Sequence, residues 1–600
     1  MMTILTSIPP AFILIIGALL IPFIKGPAKK LWAILLPAVA FYTISKLDAS
    51  MSMSIPFLSQ DLTLLRVDNL SKSFGYIFTL SAVAAFIYAW YEDKSMEYVS
   101  GLLYMGSALG VVFSGDLISL YVFWELMAIT STFLILARKK KASIQAAKRY
   151  ILVHLAGGLV LLAGIVLHIQ ESGEIAFNAF SNPTLASGLI LVGFLVNAAA
   201  IPVSSWLPDA YPEATVMGGV ILSVYTSKTA VYTLLRGFAG WDILIGLGCA
   251  MTIYGMIYAL LENDMRRILS YSIVNQVGFM VCAAGIGTPL AIAGAVAHAF
   301  AHIIYKALLW MSAGAVLYRT GKSKLTQLGG LYRSMPICMI LASIGAIASL
   351  SFPLTSGFTT KTMILMAAKY QHLFWPWVIL EIASAGVLFH SGLKFPYFVF
   401  FNKDQGLRPK EAPKSMMLGM GILAFLCIYI GCFPEQIYQV LPHSDLVMKK
   451  MPILFSDIYI HQFSNVVTQL QLLLFAVLAF FLCLPLFKRQ DTISIDFDWV
   501  YRKGSTLFYM IMDRVLNGLN HQTDQWVIRK GLVNLSKHVQ SLPAKCLSLL
   551  LRPVWQFKEM DASHMSEQHT QLERRVALST LPISYSAIFI FVILCVFIYL

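Results

Sequence analysis

His298, His302 and Lys306, in HAFAHIIYKALLW, stand four residues apart. On an α-helix each such step advances about 6 Å and turns the position by only about 40°, so the three side chains form one stripe. Imidazole changes charge near neutral pH, and a desolvated lysine releases its proton more readily than one in water. Such a stripe suits proton hopping. A hydrogen-bonded polar seam between helices accounts for the same residues without transport. Haem ligation does not, because two histidines on adjacent turns of one helix cannot reach opposite faces of one macrocycle. Further ionisable residues interrupt apolar surroundings: Glu125 in DLISLYVFWELMAITSTFLIL, Lys228 in ILSVYTSKTAVYTLLR, Lys361 in SGFTTKTMIL, and Lys394 with His390 one turn before it. A charge in hydrocarbon costs roughly 3 kcal/mol or more, so each needs a partner, water or a function. For Lys228 and Lys394, snorkelling to the interface is the competing account. His154 and Glu381 read as hydrogen-bonded core residues. Asp209 and Glu213, in SWLPDAYPEATV, either gather protons or cap helix ends.

The elements that position these residues follow from composition. Of 600 residues, 58% are apolar and only 12% are Asp, Glu, Lys or Arg. That excludes an ordinary water-soluble enzyme and points to an integral, multi-pass membrane protein. A window of about 19 residues places sixteen helices, near 5–24, 31–46, 70–91, 97–115, 117–137, 149–169, 185–203, 214–236, 241–261, 267–287, 289–319, 335–369, 373–402, 414–433, 467–487 and 580–600. The first lacks a basic leader and cleavage site and reads as a retained span. With the N-terminus outside, KGPAKK at 25–30, RKKK at 138–141 and Arg319, Lys322, Lys324 and Arg333 all face the cytoplasm. The positive-inside rule therefore explains the net charge of +14 without nucleic acid. The eight cysteines are scattered, the closest pair being Cys427 and Cys432, and suggest neither disulfides nor a metal cluster.

The breakers suggest internal repetition. In the set 97–236 the fourth helix is interrupted by Pro202 and Pro208, and in the set 241–402 the fourth is interrupted at FPLTSG, 352–357. Five spans per unit invert the second copy, and inverted repeats with broken helices are a transporter architecture. The fold expected is all-α and polytopic, with about 14 core and 2 extra transmembrane helices. Its parts are N-terminal helices at 1–96, repeats at 97–236 and 241–402, additional helices at 403–487, an amphipathic surface segment at 488–579 and a terminal anchor at 580–600. Repeat position pairs Lys228 with Lys394.

WELM around Glu125, SWLPDAYPEAT from 205, SKTAVYTLLR around Lys228, DMRRILSYSIVNQVG from 264, HAFAHIIYKALLWMSAG from 298 and FPLTSGFTTK ending at Lys361 together resemble one family. It is the proton-translocating transmembrane family shared by Mrp-type multisubunit sodium/proton antiporters, whose D-type subunit is the nearest likeness, and the antiporter-like subunits of respiratory complex I. The resemblance covers roughly 95–400. It implies that the glutamate at Glu125 pairs with a lysine on the first broken helix, and that Lys228, the His298, His302 and Lys306 stripe and Lys361 continue a polar axis. One position departs. Nine residues before Trp206, where the family's broken-helix lysine stands, this chain has Asn197. An amide cannot carry the proton, so Glu125 pairs elsewhere, for instance with Lys228, or the first half works through a cation or water.

The function these readings favour is a proton-translocating subunit of a multisubunit monovalent cation (Na+)/H+ antiporter. Its relay comprises Glu125, Lys228, His298, His302, Lys306, Lys361 and Lys394, with Asn197, Asp209 and His390 as accessory positions. No catalytic, cofactor-binding or metal-binding residue is expected, and the chain is not expected to be an enzyme by itself. Partners would be other membrane subunits, protons, monovalent cations and the lipid bilayer, in a bacterial cytoplasmic (inner) membrane. The alternatives are a pumping subunit of an NADH-quinone oxidoreductase or hydrogenase-type complex, and a membrane component of an inorganic-carbon uptake complex. The 488–579 segment would hold neighbouring subunits together, or merely stabilise this chain.

Overall fold

The computed structural model describes residues 8–57, 60–450, 463–487, 495–579 and 590. They divide into two compact units, Met1–Asp498 and Trp499–Leu600. The first is an α-helical membrane bundle. Among the described residues nine helices are long and apolar enough to cross a bilayer, and four shorter apolar helices accompany them. Polar caps start several helices where the sequence changes character. Asp68 accepts from the Ser71 amide, Asp116 from the Ser119 amide, and Thr184 from the Ser187 amide. Each satisfies an amide that the first turn leaves unpaired.

The bundle is layered by polarity of position. Met265–Ile286 is buried along its whole apolar window and Pro289–Thr320 along 94% of it, whereas Lys141–Ser172 is buried along only 39%. The outer helices turn Val122, Leu152, Leu159 and Leu185 outward, as an apolar solvent requires. The central helices therefore hold the polar residues and the outer ones hold the greasy surface. Helices Ile243–Leu261 and Met265–Ile286 pack backbone to backbone. A Cβ added at Gly255 would collide with the Asn275 amide nitrogen, so only glycine fits there.

Three helices are interrupted. Leu185–Asn197 ends before an irregular stretch, and Trp206–Ala210 resumes after it. Pro336–Ser349 ends before the segment containing FPLTSG, and Ser356–Tyr370 follows. The third lies where an unbroken span over 214–236 is expected: Val216–Leu222 stops, three residues turn, and Thr226–Gly237 continues. Arg266, which is fully buried, holds the segment ahead of this helix. Its guanidinium donates to the carbonyls of Pro212 and Ala214 at 2.8 and 2.9 Å, Tyr211 at 3.4 Å and Thr215 at 3.0 Å, and its face lies 5.2 Å from the Trp310 ring. Five donors in a rigid fork suit a cluster of carbonyls that no helix satisfies.

One element departs from an all-α chain. Ser52–Phe57 and Gln60–Arg66 pair as an antiparallel hairpin, β1 and β2, between helices Gly26–Lys46 and Asn69–Tyr88. The strands are too short to register in a hydropathy window, and pairing with each other satisfies their backbone groups. The second unit contains helices Val533–Phe557 and Ala562–Ser579 and the π-helical stretches Asp513–Asn517 and Asp524–Leu532. Leu507, Trp526, Leu549 and Leu550 are exposed on it. The anchor expected at 580–600 lies outside the described residues apart from Ile590.

Candidate functional site

The stripe His298, His302 and Lys306 occupies the helix Pro289–Thr320 at the centre of the bundle, and all three side chains are fully buried. His298 Nε2 lies 3.0 Å from Gln276 Oε1, and the Tyr305 hydroxyl donates to the same oxygen at 3.0 Å. An amide oxygen only accepts, so the His298 proton sits on Nε2 and its Nδ1 faces the Thr360 hydroxyl at 3.3 Å. Gln276 passes the connection on. Its Nε2 donates to Asn275 Oδ1 at 2.5 Å, and Asn275 Nδ2 donates to the Thr252 carbonyl at 2.7 Å. His302 stands between, its ring 6.2 Å from that of His298 and 5.3 Å edge-on from that of Tyr305, and neither ring nitrogen has a hydrogen-bond partner. Lys306 Nζ donates to Ser272 Oγ at 2.7 Å; Ser272 Oγ lies 2.8 Å from Ser391 Oγ, and Ser391 Oγ lies 2.8 Å from His390 Nδ1. His390 and Ser391 belong to the π-helical stretch Leu388–Lys394, an irregularity often found at functional positions.

The other buried lysines end on backbone. Lys228 Nζ donates to the Ser223 carbonyl at 2.7 Å and reaches Ser227 Oγ at 3.2 Å. Ser223 closes Val216–Leu222, so the ammonium sits at a helix C-terminus. Lys361 Nζ donates to the carbonyl of Ser349, the last residue of the preceding helix, at 3.4 Å, and stands 5.3 Å over the Phe279 ring. Lys394 Nζ donates to the carbonyls of Ala259, Leu260 and Glu262, at 2.9, 2.8 and 2.6 Å, where Ile243–Leu261 ends. A cation at a helix C-terminus meets unpaired carbonyls and the negative end of the dipole. In meeting a helix end Lys228, Lys361 and Lys394 are alike. Lys228 and Lys361 each follow an interruption and satisfy the broken end before it.

Glu125 is half-buried on Leu117–Leu136 and packs against Gly158, where an added Cβ would overlap its carboxylate oxygen Oε1. That oxygen is buried without a hydrogen-bond partner. Asn197 ends its helix, and both its amide atoms are likewise buried and unpartnered. Nearby, the Trp206 indole donates to the Val196 carbonyl at 2.9 Å, and the His154 ring packs 4.5 Å from Trp206 and 4.0 Å from Tyr150. Buried hydroxyls fill the rest of this half. Tyr104 and Thr226 are 2.6 Å apart, and Ser131 and Tyr150 are 2.9 Å apart. Asp209 is held by Arg149 in a two-pronged pair at 2.7 and 2.9 Å, as befits a residue at the end of a broken helix.

The structure thus brings His298, Lys306 and His390 into hydrogen-bonded networks and sends Lys228, Lys361 and Lys394 to helix ends. Ser272, Gln276, Thr360 and Ser391 belong to these networks, and Thr226 and Arg266 bond Tyr104 and the 211–215 carbonyls, yet sequence reasoning does not pick them out. For Ser272 and Gln276 the advance signal is the polar residues crowding the otherwise apolar run SYSIVNQ, 270–276. Among the described residues no group of three His, Cys, Asp or Glu side chains is arranged to hold a metal ion.

Comparison with known proteins agrees with this architecture. Residues 114–386 match the family described as NADH:quinone oxidoreductase/Mrp antiporter, TM. The chain is 31% identical over 417 residues to the A/B subunit of a probable K(+)/H(+) antiporter of Rhizobium meliloti, covering 64% of this chain and 41% of that one. It is 32% identical over 490 residues to the A1 subunit of a Na(+)/H(+) antiporter of Staphylococcus haemolyticus, covering 71% and 60%. It therefore spans less than two thirds of either relative. These relatives carry the designations A/B and A1, so the likeness to the D-type subunit is not confirmed. Three solved structures share the fold. The Mrp complex from Dietzia sp. aligns with a TM-score of 0.67 at 19% identity, covering 77% of this chain and 99% of that one. An archaeal membrane-bound sulfane sulfur reductase gives 0.69 at 22%, covering 91% and 100%. Complex I from Thermus thermophilus gives 0.64 at 19%, covering 73% and 98%. A helical membrane bundle with buried charged residues thus carries, over residues 114–386, a region similar to the NADH:quinone oxidoreductase/Mrp antiporter transmembrane family.

Proposed function

We propose that the chain is a proton-translocating membrane subunit of a multisubunit monovalent cation/proton antiporter. Protons would move along a relay of Glu125, Lys228, His298, His302, Lys306, Lys361 and Lys394, with Asn197, Asp209 and His390 in accessory roles. The observation that carries this reading is the fully buried stripe of His298, His302 and Lys306, joined to further polar side chains rather than to surrounding lipid. Two unpartnered nitrogens on His302 add to it, because a static seam would satisfy them. The interruptions at 198–205 and before 356 support a division into inverted repeats, 97–236 and 241–402. The names of the relatives, a probable K(+)/H(+) antiporter and a Na(+)/H(+) antiporter, support a monovalent cation.

The mechanism is stepwise. A proton arriving on one midplane group changes its attraction to the next, by a few kcal/mol for unit charges about 4 Å apart at intermediate dielectric. The neighbour then passes its own proton. Lys228 and Lys361 suit this role because each ammonium meets a carbonyl at a broken helix end and, among the described residues, no carboxylate is hydrogen-bonded to it. The test is a pH-gradient dye assay in vesicles holding the purified complex, with sodium, potassium and lithium pulses. Glu125→Gln, Lys228→Ala and Lys361→Ala should each abolish cation-induced dequenching while leaving membrane insertion intact. Normal transport in all three would end the relay as drawn.

A second reading is a pumping subunit of a redox-linked complex. It is favoured by the length of fold shared with the sulfane sulfur reductase, 91% of this chain against 77% for the Mrp complex. Co-purified redox subunits would decide for it.

A further inference from the structure

We infer that protons leave Lys306 through two serine hydroxyls, Ser272 and Ser391, to His390, which serves as the receiving group of a branch distinct from Lys361. This rests on the relay proposed above and adds residues to it. Lys306 Nζ donates to Ser272 Oγ at 2.7 Å, and among the described residues no hydrogen bond joins Lys306 to Lys361, whose ammonium turns to the Ser349 carbonyl. Ser272 Oγ is 2.8 Å from Ser391 Oγ, and Ser391 Oγ is 2.8 Å from His390 Nδ1. All four side chains are fully buried. The chain of hydroxyls crosses three elements, the Lys306 helix, the Met265–Ile286 helix and the π-helical stretch Leu388–Lys394.

The donors point one way. An ammonium has no acceptor, so Ser272 accepts from Lys306, which leaves its own hydrogen free to be given to Ser391. Ser391 then gives its hydrogen to His390 Nδ1, and the neutral imidazole carries its proton on Nε2. That Nε2 is buried and has no hydrogen-bond partner. The transfer balances without a co-reactant. Lys306 gives a proton to Ser272 Oγ while Ser272 passes its own to Ser391 and Ser391 passes its own to His390 Nδ1. The lysine becomes neutral, both serines keep one hydrogen each, and His390 becomes an imidazolium whose Nε2 proton can depart from the opposite side of the ring. Rotation of the two hydroxyls and reprotonation of Lys306 reset the chain. A hydrogen-bonded pair of helices needs none of this directionality, and one serine would suffice to join them.

The test uses the purified complex in vesicles and follows proton movement with a pH-gradient dye. Ser272→Ala and Ser391→Ala remove one oxygen each from a packed site, and each should slow proton movement at least about tenfold, in the range expected for a lost proton-transfer group. Ser272→Thr and Ser391→Thr keep the hydroxyl and should restore most of the rate. The double alanine variant should be no slower than either single one, because one broken link already opens a serial path. His390→Gln should match the alanine variants. Alanine variants within twofold of wild type overturn the branch, as does equal slowing by alanine and threonine, which would mark a packing role. If wild-type vesicles move no protons, the relay itself fails and takes the branch with it. Wild-type movement with unaffected alanine variants rejects the branch alone.

Discussion

The two halves of the bundle use the same broken-helix device for different wiring. In the second half, His298, Gln276, Tyr305 and Thr360 share hydrogen bonds, and Lys306 leads through hydroxyls to His390. In the first half the corresponding apparatus is left open. Glu125 Oε1, both amide atoms of Asn197 and Nε2 of His154 are buried without partners, and the nearby pairs Tyr104–Thr226 and Ser131–Tyr150 join hydroxyl to hydroxyl. A buried polar atom with no partner is costly unless water, an ion or a moving proton visits it. In the second half that cost falls on His302 and on Nε2 of His390 while His298 and Lys306 are joined to side chains, whereas in the first it falls on Glu125, Asn197 and His154.

The largest effect should come from cutting the connected half. Lys306→Ala removes the ammonium that leads through Ser272 and Ser391 to His390, and proton movement in vesicles should fall by about 100-fold or more, in the range of lost acid–base groups. An equal loss from Asn197→Ala, which touches only the open half, would erase the contrast. Arg266→Ala tests what holds the halves in register. Leaving the carbonyls of Tyr211, Pro212, Ala214 and Thr215 without their donor should lower stability by roughly 3 kcal/mol, read as a drop in the melting temperature of the purified complex. Gly158→Ala drives a methyl into the Glu125 carboxylate, and should cost about 1–3 kcal/mol of stability together with a slower first half. Asn197→Lys sharpens the comparison from the other side. It supplies an ammonium where the amide is unpartnered, and should make sodium-dependent dequenching less dependent on the cation added if a cation normally visits that place. Unchanged cation selectivity would mean that Asn197 is bystander structure.

The smallest effects lie at the rims. At the Asp68 rim, burial pushes the carboxyl up, but the Arg236 guanidinium and the Ser71 amide outweigh it and hold Asp68 below its ordinary value. At the other rim, hydrogen bonding by the Arg408 guanidinium holds exposed Asp404 well below the usual carboxylate range. A depressed folded value means that stabilisation is complete above the unfolded value of about 4 and is lost as pH falls through the folded one. Acid titration of the melting temperature should therefore show a decline below about pH 4. Asp68→Asn should flatten it more than Asp404→Asn, because a solvent-exposed pair contributes little. Equal flattening by both would remove the difference between the rims.

Much of this is legible in the residues. The stripe of His298, His302 and Lys306 follows from spacing of four alone, and it is buried as expected. Glu125, Lys228 and Lys361 stand out because ionisable groups are rare in apolar runs. Two things are hidden. The interruption before Thr226 carries no proline, so a hydropathy window reads through it and puts Lys228 in mid-helix, when in fact it begins a new one. Ser272 and Ser391 are ordinary small residues 119 apart in sequence, and nothing local distinguishes a serine that links a relay from one that bonds its own helix.

Composition and periodicity by themselves settled that the chain lives in a membrane, that its helices are broken at FPLTSG and near the 202 and 208 prolines, and that His298, His302 and Lys306 share one face. Those properties depend on the free energy of transferring each segment into hydrocarbon and on the helical repeat, which are local. Only the tertiary structure decided where each ammonium points: to a helix end for Lys228, Lys361 and Lys394, and to Ser272 for Lys306. A buried donor takes whichever unpaired acceptor the packing brings within about 3 Å, and that acceptor often belongs to a distant part of the chain.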